Sequence, residues 1–176
     1  KRKVYEHITV LAVNETGWRN LVRLNNLAAL TYFYKPRIDL DLLCEHNEGL
    51  VVLTGCLGGP VAGRLLAGQR DVAHSNLAKL VDGFGSDRCF VEIMDHGIPA
   101  EAKIVPELFA LASEFGLRCV ATNDNHYVSP GEAEAHDVWL CVQQNNRSIT
   151  DPTRFRFNGS GFHMRTADEM RTVWSG

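Results

Sequence analysis

Residues Arg88–Tyr127 run RCFVEIMDHGIPAEAKIVPELFALASEFGLRCVATNDNHY, and the way this stretch divides decides the fold. RCFVEIM is short and mostly apolar, the pattern of a strand buried in a sheet. After the turn DHG comes AEAKIVPELFALASEFG, a helical segment expected to be interrupted near Pro106 and ended by Gly116. LRCVAT is a second strand. Strand, helix and strand in so short a span imply a right-handed βαβ crossover and a parallel sheet, open or closed into a barrel. In such sheets chemistry gathers beyond the carboxyl ends of the strands. Both strands here end in side chains able to bind metal: Asp95 and His96 after the first, Asp124 and His126 after the second.

The alternation continues outward. HITVLAV is an early strand, followed by an amphipathic helix ETGWRNLVRLNNLAALTYF with Trp18, Leu21, Val22 and Ala29 on its apolar stripe and Asn14 as its cap. KPRIDLDLLCEH holds a short helix capped by Asp39. GLVVLTG is a continuous apolar strand bounded by glycines. Pro60 suits the first turn of a helix through VAGRLLAG, and a longer helix covers DVAHSNLAKLVDGF. Beyond Tyr127, GEAEAHDVWLCVQQ reads as a helix, and SGFHMRTADEMRTVW as a last strand and helix. KRKVYEHITV opens without a methionine and RTADEMRTVWSG closes just after a helix begins, so both ends read as cut from a longer chain.

The totals exclude several classes. The 176 residues are 45% hydrophobic and 22% charged, ample for one globular core without a stabilising metal or disulfide. A formal charge of −3 lacks the basic excess of a free-standing nucleic-acid binder. Cys44, Cys56, Cys89, Cys119 and Cys141 are scattered with no CxxC, which suits reduced thiols in a cytoplasm better than a disulfide framework. No apolar run is long enough to span a membrane and no signal peptide opens the chain. GxGxxG, GxxxxGK and GxSxG are absent, which counts against nucleotide-binding and serine-hydrolase readings.

What remains is a possible metal site at the strand ends. LVVLTGC ends at Cys56, joining Asp95, His96, Asp124 and His126. Residues two apart in extended chain point the same way, so Asp124 and His126 face one point while Asn125 faces away. Carboxylate, imidazole and thiolate together suit zinc, and the oxygen and nitrogen donors also accept manganese or iron. Each feature has a plainer reading: Asp-x-His as turn chemistry, a lone cysteine as a small hydrophobe, DHG as a turn with glycine at positive φ. His46, His74 and His163 lie on solvated patterns, and an inward orientation is open to His136. RFRFN alternates cation and aromatic, a pattern open to contact with a phosphate backbone and better matched by a strand with one polar face.

HITVLAVNETGWRNLVRLNNLA, PRIDLDLLCEHNEGLVVLTGCLGG, FVEIMDHG, CVATNDNHY, AHDVWLCVQ and DPTRFRFNGSGFHMRTADEM occur in this order. Together they resemble the amino-terminal polymerase-and-histidinol-phosphatase (PHP) domain of bacterial DNA polymerase III alpha subunits, over nearly the whole chain. The resemblance implies an α/β fold, part of a distorted (β/α)7 PHP barrel with parallel strands. It assigns residues 1–150 to the PHP portion and 151–176 to a connection toward the polymerase palm. It implies up to three divalent metal ions, zinc or manganese, with His7, Cys56, Asp124 and His126 as ligands; only the resemblance nominates His7. Asp95, His96 and His136 rank as supporting or structural residues, since Asp95 and His96 match the family's DHG but not its usual ligands.

The family's remaining ligands, an H-x-H motif and an Asp, a His and a Glu, would precede Lys1, so the site formed by this stretch alone is incomplete. One local departure is Gly59-Pro60, where the family usually has Gly-Glu. The implied activity is that of a DNA-directed DNA polymerase whose PHP domain acts as a metal-dependent phosphoesterase, with 3′–5′ exonuclease activity. Palm carboxylates are missing from this stretch, so by itself it would not polymerise. The implied partners are a DNA primer-template and other replisome subunits. Two alternatives stay open: a catalytically silent module bracing the polymerase, and a stand-alone small-molecule phosphatase on the same barrel.

Overall fold

The computed structural model describes residues 5–32, 35–157 and 161–175. They form two compact units. The first gathers the residues through Ile93 with Lys103–Val120; the second gathers Met94–Ala102 with the residues from Ala121 onward.

Unit 1 holds the sheet as far as Val120, in the order β1 (Thr9–Ala12), β2 (Leu50–Leu53), β3 (Cys89–Ile93) and β4 (Arg118–Ala121). β2 pairs parallel with β3 through Val52↔Cys89 and Leu53↔Phe90. The expectation of uniformly parallel strands fails at β1, which pairs antiparallel with β2 through Thr9↔Leu53 to Ala12↔Leu50. The connection between them holds two helices, α1 (Glu15–Leu30) and α2 (Leu40–Glu45), so the chain reverses once more than in a single-helix crossover.

Both expected caps are present. Asn14 Oδ1 accepts from Gly17 N–H at 2.9 Å to start α1, and Asp39 Oδ1 accepts from Leu42 N–H at 2.8 Å to start α2. The α1 stripe, however, is rolled from its expected position. Gly17, Leu24 and Ala28 are buried, while Trp18 and Val22 are exposed. The cause is a backbone approach: a Cβ on Gly17 would lie 1.8 Å from Gly49 O. Val13 N–H also donates to Gly49 O at 2.9 Å, and Asn20 Nδ2 donates to Glu48 O at 2.9 Å. The helix is therefore turned toward Gly49 by hydrogen bonds and the missing side chain rather than by its bulkiest apolar residues.

α3 (Ala62–Leu66) begins after Pro60, which sits in the preceding turn and not within the helix. α4 (Arg70–Phe84) buries Ala73, Leu77, Leu80 and Phe84, the i, i+4, i+7, i+11 stripe of an amphipathic helix. α5 (Pro99–Glu114) continues through Pro106 without the expected interruption. Gly116, at φ +62°, closes it with Leu117 N–H donating to Ala112 O at 2.8 Å. The unit's core joins Leu43, Leu50, Val52, Leu77, Leu80, Phe84, Val91 and Leu111, all at most 1% exposed. Burial of each such side chain contributes about 1.5–3 kcal/mol.

Unit 2 is built differently. A 3-10 turn (Pro130–Glu132) leads into α6 (Ala133–Gln143), and α7 (Ala167–Val173) follows a capping box in which Thr166 and Glu169 exchange hydrogen bonds. Among the described residues the expected last strand is reduced to one bridge, Tyr127↔His163. Arg154–Phe157 is not a strand either, because Arg154 is turned inward and spent on Asp137: Nη1 meets Oδ1 at 2.7 Å and Nη2 meets Oδ2. Gln144 clamps the same segment, donating to Phe155 O at 2.9 Å and accepting from Phe155 N–H at 2.6 Å. Asn158, the last residue of RFRFN, lies outside the described residues. No helix among the described residues is long and apolar enough to cross a membrane.

Candidate metal centre

In unit 1 the segment carrying His7 and the turn carrying Cys56 are joined through backbone. His7 N–H donates to Gly58 O at 3.0 Å. Gly55, at φ +81°, lies so close to His7 that a Cβ there would be 2.6 Å from His7 O. The Cys56 turn is closed by Gly59 N–H donating to Cys56 O at 2.7 Å, and Cys56 Sγ accepts from Gly58 N–H at 3.4 Å. Pro60, at the position where Glu was expected, is buried and its carbonyl accepts from Asn76 Nδ2 at 2.8 Å. The thiol is half-buried, and all five cysteines are free.

In unit 2 Asp124 and His126 do point the same way. Asp124 Oδ2 lies 3.4 Å from His126 Nε2, both side chains partly open to solvent. The loop is fixed by Asn123 Nδ2, which donates to Gly161 O at 2.9 Å and His163 O at 2.6 Å, and by His126 N–H donating to Phe162 O at 2.8 Å. Around the His126 ring stand Phe157 at 4.4 Å, His136 at 5.4 Å and Phe162 at 5.9 Å between centroids. His136 therefore does turn toward the candidate residues. Desolvation first, and then the neighbouring His126, hold its pKa below the ordinary imidazole value.

Asp95 and His96 serve the turn between β3 and α5. Asp95 Oδ1 accepts from Gly97 N–H at 2.9 Å, as in an Asx turn, and Arg165 Nη1 donates to Asp95 O at 3.0 Å. His96 is buried and stacks on Phe162 at 4.2 Å with ring planes 6° apart. Glu101 grips it twice, Oε2 accepting from His96 N–H at 2.8 Å and Oε1 lying 2.9 Å from Nδ1. The other ring nitrogen, Nε2, is buried without a hydrogen-bond partner among the described residues. Of the histidines expected at the surface, His74 is exposed against Phe115, whereas His46 is half-buried and His163 is 14% exposed, 3.7 Å from Glu169.

Each unit thus supplies two donors of the kinds that hold zinc or manganese: imidazole and thiol in unit 1, carboxylate and imidazole in unit 2. Within neither unit do three or more His, Cys, Asp or Glu of the described residues form a metal-holding group. Two buried carboxyl groups escaped the sequence reading. Glu101 sits one helical turn beyond DHG, and Glu92 is the lone acid inside the apolar strand CFVEI. An acid within an apolar run was the available signal, since buried glutamates are rare without partners.

Comparison with known proteins joins these observations to a family. Residues 1–96 match the PHP domain. DNA polymerase III subunit alpha of Saccharopolyspora erythraea is 43% identical over 171 residues, covering 97% of this chain and 14% of that protein. The same subunit of Thermus aquaticus is 44% identical over 170 residues, covering 96% and 14%, and that of Deinococcus radiodurans is 41% identical over 166 residues, covering 94% and 12%. The chain spans about 14% of the length of the first of these relatives. With a PHP match over more than half its residues, and with the motif order its sequence carries, the chain belongs to the PHP domain family.

Proposed function

We propose that this chain is the PHP-domain portion of a DNA polymerase III alpha subunit, and that the domain hydrolyses phosphodiester bonds at a DNA 3′ end. The observation that carries the first part is the 43% identity over 97% of the chain to a protein of that name. In this reading residues 1–150 are the PHP portion of a partial (β/α)7 barrel, and residues 151–176 lead toward the palm. The full polypeptide extends primer-template DNA in the cytoplasm beside other replisome subunits.

The second part is supported by the donor chemistry. His7, Cys56, Asp124 and His126 are the ligands this chain would contribute to zinc or manganese. Divalent ions held there supply the activation of a water and the charge to stabilise a leaving oxygen. The chain's own residues orient those donors: Gly58 O holds the His7 backbone, and Phe162 O holds that of His126. With the metals offsetting phosphate charge, a net charge of −3 is compatible with a DNA substrate.

Asp124→Ala in the full-length protein is expected to lower bound metal and abolish 3′–5′ exonuclease activity on a 3′-labelled primer. Unchanged activity would remove Asp124 from the ligand set. The second reading, a silent module bracing the polymerase, draws on the absence of any three-donor group within either unit among the described residues. Wild-type protein that polymerises but neither binds metal nor trims the primer would establish it.

A further inference from the structure

Glu92 is 4% exposed, in a strand whose neighbours Cys89, Val91 and Ile93 are also buried. Burying a carboxyl group is costly unless donors replace its water. Here the donors come from the two segments that carry the unit 1 metal-ligand candidates. Glu92 Oε2 accepts from Gly55 N–H at 3.0 Å and from the Thr9 hydroxyl at 3.3 Å. Gly55 directly precedes Cys56, and Thr9 follows His7 by two residues. The Glu92 N–H donates in turn to the Thr54 hydroxyl at 2.9 Å, at the root of the same turn. Gly55 is therefore wedged between the His7 carbonyl oxygen and the Glu92 carboxyl group, in a conformation a larger residue could not enter. A leucine at position 92 would fill the space but leave the Gly55 N–H buried without this acceptor.

We propose that Glu92 is a positioning residue, which holds the His7 segment and the Cys56 turn in register so that both side chains are presented to a divalent ion. The proposal rests on the metal reading above. A merely structural glutamate would change stability and leave metal affinity untouched, whereas groups that orient metal ligands typically change affinity 10- to 100-fold when lost.

The test uses Co²⁺ with the full-length protein and reads two signals: the thiolate-to-cobalt absorption band and the Co²⁺ concentration at half-saturation. Wild type is expected to show a band that Cys56→Ser abolishes. Glu92→Met is expected to raise half-saturation roughly 10- to 100-fold, and Glu92→Gln, which keeps an acceptor for Gly55, to recover most of the loss. Glu92→Met with wild-type half-saturation and spectrum overturns the proposal. If Glu92→Met fails to fold, Thr9→Val removes one partner and keeps the carboxyl group. A rise in half-saturation there supports the proposal, and an unchanged value overturns it. A wild-type protein with no cobalt–thiolate band defeats the metal reading itself, and this inference with it.

Discussion

The two units of this chain are stabilised by different physics. In unit 1 the buried side chains are overwhelmingly apolar, with Leu77, Leu80, Phe84, Val91 and Leu111 fully enclosed and Thr54 and Glu92 as the polar exceptions. In unit 2 charged and polar groups carry much of the interior: His96 with Glu101, and Arg154 with Asp137, beside Leu140, Cys141 and Phe162. The first kind of interior tolerates approximate placement, because apolar burial is non-directional. The second does not, because a buried polar group left without its partner loses the full cost of its desolvation.

That contrast can be broken at its strongest point first. Leu80→Ala should lower unfolding free energy by about 2–5 kcal/mol, read by denaturant titration of the full-length protein. A cost near zero would mean that unit 1 does not depend on its apolar core. Asp137→Asn tests the other interior. The Arg154 hydrogen bond holds the Asp137 carboxyl below its ordinary range, so its stabilising contribution is complete above the unfolded value of 3.8 and disappears as pH falls through the lower folded value. The variant should therefore be less stable than wild type at neutral pH and equal to it in acid. A gap that persists in acid would trace the loss to packing rather than charge.

A smaller effect separates Cys89, the first residue of β3, from Cys56 in the turn after β2. Burial pushes the Cys89 thiol up to about 11, so the folded protein resists its ionisation. That contribution is present below the ordinary value of 9.0 and is lost as pH rises toward the folded value. Alkylation followed by peptide mass mapping should label half-buried Cys56 well before Cys89 at mildly alkaline pH. Equal labelling would place Cys89 outside the core. The smallest effect belongs to His74→Ala; His74 is exposed, its ring centroid 4.7 Å from that of Phe115. Stability should stay within about 0.5 kcal/mol, with metal content unchanged. A loss of metal there would make His74 part of the metal site.

The sequence by itself determined what depends on near neighbours. Asn14 and Asp39 cap their helices because a side-chain acceptor needs only the N–H groups of the next turn. The α4 stripe is set by periodicity, and Gly116 stops α5 because positive φ suits glycine. The same-side approach of Asp124 and His126 follows from their spacing in extended chain. The motif order was enough to name the family. Only the tertiary structure decided the antiparallel entry of β1, the rolled face of α1 and the inward turn of Arg154. Each depends on a partner distant in sequence: Leu53 for Thr9, Gly49 for Gly17, Asp137 for Arg154. A local pattern records which residues prefer to be buried. It does not record which backbone carbonyl, carboxyl group or strand edge will meet them, and hydrogen bonds are strong only where that partner stands at the right distance and angle.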